Sequence, residues 1–132
     1  MKPKNIILDP DFNPRIRDYG LLNIKDAHFR LSPPGDLKDV EYIAPEIIKG
    51  GVPSTQIDLF GLGCVAFYIW QGSHAFLRDT DFLTWKAILE EPTPTIAVHT
   101  QQEAKYLSLV QACLEKDPEK RLCAERFLEK MG

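Results

Sequence analysis

Three residues near the start of the chain are of the right types to handle a phosphate. Asn5 offers a side-chain carbonyl oxygen and Asp18 a carboxylate. Both are hard oxygen donors, suited to Mg²⁺ carrying phosphate. Lys2 lies close to Asn5 and would set a positive charge against a transferring phosphoryl group. Whether Asn5 and Asp18 meet depends on the chain between them. Ile6-Ile7-Leu8 reads as a short strand, and Asp9-Pro10-Asp11-Phe12-Asn13-Pro14 is dense in turn formers. Arg15-Ile16-Arg17 alternates as a half-exposed strand does. A hairpin in that order brings Asn5, at the start of the first strand, beside Asp18, at the end of the second. The same pattern also fits a surface hairpin with polar ends and no ligand.

Such a hairpin needs a support, and Ile57–Gln71 is the segment suited to provide one. After Asp58 it is apolar or small as far as Trp70. It is too short and too broken by glycine to cross a bilayer, which takes ~20 apolar residues, and too long for an ordinary strand. A helix apolar on all faces must be surrounded by protein. Gly61 and Gly63 each cost ~1 kcal/mol against Ala inside a helix, so two in one turn suggest that another backbone comes close. Asp58 is placed to cap the first turn or to bond a neighbouring loop.

Shorter helices are expected around this post. Pro45–Lys49 has Pro in its first turn and Gly50-Gly51 to end it. The stretch from Phe76 to Glu91 sets Phe82, Trp85, Ile88 and Leu89 on one helical face, which predicts a helix packed on the core. Pro92-Thr93-Pro94 breaks it. Gln102–Lys116 carries Ala104, Leu107, Val110 and Leu114 at helical spacing, and Ala124–Met131 gives a short last helix; both are expected to pack in the ordinary way. The fold class that follows is mainly α with a short β-hairpin, in one domain.

Composition narrows the function classes. Of 132 residues, 44% are hydrophobic and 27% charged, as in an ordinary globular protein. The net charge of −3 gives no footing for nucleic acid or an anionic membrane. Cys64, Cys113 and Cys123 are odd in number and unpaired in spacing, which predicts reduced thiols and a cytoplasmic location. His28, His74 and His99 lack a partner at zinc-ligand spacing. No transmembrane segment or signal peptide is expected.

Taken in order, the motifs resemble the eukaryotic-type protein kinase family. Lys2-Pro3-Lys4-Asn5 is similar to the K-P-x-N that closes its catalytic loop, Asp18-Tyr19-Gly20 to D-F-G, and Ala44-Pro45-Glu46 to A-P-E. Asp58 with Gly63 resembles D-x-x-x-x-G of the family's central helix, and Asp117-Pro118-Glu119-Lys120-Arg121 resembles D-P-x-x-R. The resemblance implies the C-terminal lobe of a kinase domain over residues 1–132. Residues 1–18 would be the end of the catalytic loop and the hairpin, 18–46 the activation segment, 57–71 the central helix and 76–131 the C-terminal helices. It further implies ATP and Mg²⁺ as cofactors of the parent, with Asn5 and Asp18 as Mg²⁺ ligands and Lys2 facing the phosphate. Glu46 and Arg121 would form a buried structural ion pair. Ser32, in Ser32-Pro33-Pro34-Gly35, is a possible phosphosite, with Asp36 a rival fixed charge. A weaker likeness, through Phe76–Glu91 and Arg121-Leu122, points to the AGC group and its phosphoinositide-dependent kinases.

Several features depart from the family pattern. Tyr19 replaces the usual Phe. Asp39 stands where Ser/Thr kinases have Thr and would repel a catalytic Asp. Lys4 stands where many basophilic kinases have Glu and would repel a substrate Arg. Nothing in the sequence matches the glycine-rich loop, the V-A-I-K lysine or the H-R-D aspartate. The expected function is therefore a fragment of a Ser/Thr-type kinase whose parent moves the ATP γ-phosphate to protein hydroxyls, the isolated chain being inactive. The alternative is a pseudokinase or truncated module that binds proteins through Phe82–Leu89. Expected partners are a protein substrate or regulator, and the missing N-lobe or a second copy covering one side of the central helix.

Overall fold

The first two helical segments show how local sequence sets the frame. A computed structural model describes residues 1–17 and 37–132. The expectations that rest on Asp18, Tyr19, Gly20, Ser32, Asp36 and the side chain of Asp39 fall outside these residues. Helix α1, Pro45–Ile48, starts on a proline whose missing N–H costs nothing at a helix N-terminus. It ends where Gly50 takes a left-handed φ of 78°. The Gly51 N–H returns to the Glu46 carbonyl at 2.7 Å and the Gly50 N–H to the Ile47 carbonyl at 3.0 Å. This paired closure satisfies carbonyls that a helix end leaves open.

Helix α2, Gln56–Gln71, is the centre of the molecule. Leu59, Phe60, Gly61, Gly63, Cys64, Val65 and Phe67 are buried along it. Phe60 stacks on Phe76, with ring centroids 5.8 Å apart. The expected all-round burial does not hold: Asp58 is exposed, and Leu62 and Ala66 are only half-buried along one side. Tyr68, Ile69 and Trp70 are 40%, 75% and 46% exposed, because the helix outruns the elements packed around it. Gly72 closes it with a left-handed φ of 69°.

The two glycines in α2 have different neighbours. A Cβ on Gly61 would lie 2.5 Å from the Met1 carbonyl oxygen, so the expected close backbone is that of Met1. A Cβ on Gly63 would lie 2.9 Å from Cys113 Cβ and 3.0 Å from the Leu114 side chain. There the close neighbour is a side-chain layer from α4, Gln101–Cys113.

Helix α3, Asp81–Glu90, and α4 are capped by threonines. The Thr80 hydroxyl accepts from the Leu83 N–H at 3.2 Å. At α4, Thr100 and Glu103 form a reciprocal capping box. α3 turns Thr84, Ala87 and Ile88 inward; of the expected face Ile88 is buried and Trp85 and Leu89 are half-buried, and the correction is at Phe82. Phe82 is 71% exposed, while Thr84 is buried because its hydroxyl binds both the Thr80 carbonyl at 3.0 Å and the Arg78 N–H at 2.9 Å. The last helix, α5 (Ala124–Met131), buries no residue, and Leu128 is 70% exposed. α5 packs on α4 as expected, but shallowly, with Phe127 only half-buried. It borders an apolar groove of about 250 Å³ between α2, α4 and α5, lined by Leu62, Ala66, Ile69, Tyr106 and Phe127 among others.

The sheet is a single antiparallel pair, β1 (Ile6–Leu8) and β2 (Pro14–Ile16). Its register pairs Ile6 with Ile16, Ile7 with Arg15 and Leu8 with Pro14. The second strand begins one residue earlier than Arg15-Ile16-Arg17 suggests, and it is exposed throughout. The architecture is mainly α with a short hairpin, as in a kinase-like lobe.

Candidate functional site

The hairpin is held by its own turn. The Asp9 carboxylate accepts from the Asp11 and Asn13 N–H groups at 3.0 and 2.9 Å, and Arg15 Nε donates to it at 3.1 Å. The backbone bond from Asn13, with Arg15 adding to it, keeps the Asp9 carboxyl below its usual pKa. Phe12 carries a positive φ of 63° in the turn, an uncommon conformation for a bulky residue.

A 3-10 turn over Pro3–Asn5 leads into β1. The Asn5 N–H donates to the Lys2 carbonyl at 3.1 Å, which draws these two residues into one turn. The Arg17 N–H donates to the Asn5 carbonyl at 2.8 Å. The register therefore sets Asn5 opposite Arg17, one residue before Asp18. Asp18 itself lies outside the described residues, so the geometry of the pair ends at Arg17. Among the described residues no cluster of three or more His, Cys, Asp or Glu side chains gathers as a metal site. Asn5 brings an amide oxygen and Asp18 a carboxylate, and such a donor set suits Mg²⁺ chemically.

Two further contacts tie this region to the core. Asp58, in the first turn of α2, accepts from the Met1 nitrogen at 3.2 Å. Of the two roles open to Asp58, it makes the bond to a neighbouring segment; the N-cap is Thr55, without a side-chain bond. Gly61 leaves room for the same Met1 backbone one turn along.

On the other side lies the Glu46–Arg121 pair. Arg121 Nη1 and Nη2 meet the two Glu46 carboxylate oxygens at 2.6 and 2.9 Å. The Arg121 side chain is 0% exposed. It also donates to the carbonyls of Glu115 at 2.7 Å, Gln56 at 3.0 Å and Lys116 at 3.3 Å, and lies over the Phe60 ring. Burial alone would raise the Glu46 pKa, but the bonds and charge of Arg121 outweigh it, and the net shift is downward. The guanidinium fork joins α1, the start of α2 and the segment after α4 in one node.

With this geometry in place, the comparison with known proteins has a structural counterpart. The family described as Protein kinase domain matches residues 1–131. The chain belongs to the protein kinase domain family. Three kinase relatives extend over nearly the whole chain. The serine/threonine-protein kinase RUNKEL of Arabidopsis thaliana is 30% identical over 96% of this chain and 10% of its own length. The serine/threonine-protein kinase PDK1 of Cryptococcus neoformans is 29% identical over 92% of the chain and 10% of its own. The human phosphorylase b kinase gamma catalytic chain, liver/testis isoform, is 29% identical over 98% of the chain and 33% of its own. The chain thus spans at most about a third of the length of these relatives, and corresponds to part of a protein kinase domain. No helix among the described residues is long and apolar enough to cross a membrane.

One constellation escaped the sequence reading. Glu41 and His74 approach closely: Glu41 Oε1 and His74 Nδ1 are 2.5 Å apart. Glu41 is 1% exposed. Burial pushes its carboxyl up, against the opposing effects of the Tyr42 hydroxyl and of His74. Tyr42 is raised as well, first by burial and then by Glu41. No motif links positions 41 and 74, so only the fold reveals the pair.

Proposed function

We propose that this kinase-family chain serves a Ser/Thr-type protein kinase that transfers the ATP γ-phosphate to protein hydroxyls. The observation that carries the reading is the family match over residues 1–131, joined to the hairpin register that sets Asn5 opposite Arg17. In this reading Asn5 and Asp18 hold Mg²⁺ and Lys2 steadies the phosphate. The metal, when bound, neutralises charge on the phosphates. The chain's own residues hold the rest in place. The Asp9 turn fixes the hairpin, Asp58 and Gly61 seat Met1 on α2, and Glu46–Arg121 locks α1 beside it. The chain alone turns over no substrate, because no residue matches the aspartate that accepts the substrate proton. Its setting is cytoplasmic and its partners are protein substrates or regulators.

Phosphotransfer by the full-length parent tests this, with Asp18→Ala and Asn5→Ala variants beside it. A loss of at least about 100-fold in kcat in both is expected, since positioning and charge neutralisation dominate this chemistry. Equal activity in all three proteins refutes the metal role.

A second reading, a kinase-like module that binds proteins without turnover, draws on the exposure of Phe82 and Leu83, 71% and 43%. A parent that hydrolyses and transfers no phosphate yet retains a Phe82-dependent protein complex would favour it.

A further inference from the structure

We draw no further inference here: the strongest candidate, the apolar groove between α2, α4 and α5 that Leu62, Ala66, Ile69 and Phe127 help to line, carries none because nothing in the structure shows what covers it.

Discussion

Replacing Glu46 by Gln removes one charge from the Arg121 node and keeps its shape. Arg121 has no exposed side-chain surface, and its carboxylate partner is 12% exposed. Water therefore cannot stand in for the lost anion. Breaking a buried pair from one side costs ~3–5 kcal/mol, because the other charge stays buried. The Gln oxygen can still accept one of the two N–H groups, so the expected loss lies near the lower end, about 3 kcal/mol. Arg121→Met should cost more. It also strands the carbonyls of Gln56, Glu115 and Lys116, which Arg121 now serves. Each buried acceptor left open costs ~1–3 kcal/mol. Against a total of ~5–15 kcal/mol for a domain, Arg121→Met brings the fold to its limit. Urea unfolding followed by tryptophan fluorescence, with Trp70 and Trp85 as reporters, gives the free energies. The pH arm has a definite sign. Glu46 is lowered from 4.5 by Arg121, so its stabilisation is full above that value and is lost as pH falls through the folded one. Glu46→Gln should lack this acid-side part. A loss below ~1 kcal/mol for Glu46→Gln, the worth of a surface pair, would refute the reasoning.

Other expectations follow from single contacts. Gly61→Ala forces a Cβ to within 2.5 Å of the Met1 carbonyl; it should cost ~1–3 kcal/mol in the urea midpoint analysis and release Met1 from Asp58. Thr100→Ala removes the α4 capping box and should cost ~1 kcal/mol by the same measurement. Burial pushes Cys113 up to about 11 and Cys64 higher still. Iodoacetamide should therefore reach Cys123 first, and the two buried thiols only on unfolding, as mass spectrometry of labelled peptides would report. The apolar groove beside α2 and α5 should leave the isolated chain marginal or self-associated, and a cooperative monomeric melt at high dilution would contradict that.

What the sequence showed and what it hid have physical reasons. Glu46 and Arg121 were legible because a buried ion pair demands particular side chains, and these two are of those types. The central helix was legible from its unbroken apolar run. Its exposed last turn was not, since composition does not say where neighbouring elements stop. For α3, helical spacing gave Ile88 and its half-buried neighbours Trp85 and Leu89, but not the outer edge of the face. Thr84 took the core position because its hydroxyl satisfies two backbone groups, and Phe82 was turned outward. Pro14 reads as a turn residue, yet it fits the end of a two-stranded hairpin, where its missing N–H breaks no ladder bond. Glu41 and His74 share no pattern, and only tertiary packing joins them.

Anomalous diffraction from Mn²⁺ bound with nucleotide to the full-length parent measures the central claim most directly. The account predicts a peak about 2.0–2.3 Å from both the Asn5 amide oxygen and an Asp18 carboxylate oxygen, the range for a hard divalent cation. A nucleotide-linked peak that touches neither residue, or an Asn5 and Asp18 lying at opposite ends of the lobe, would contradict it.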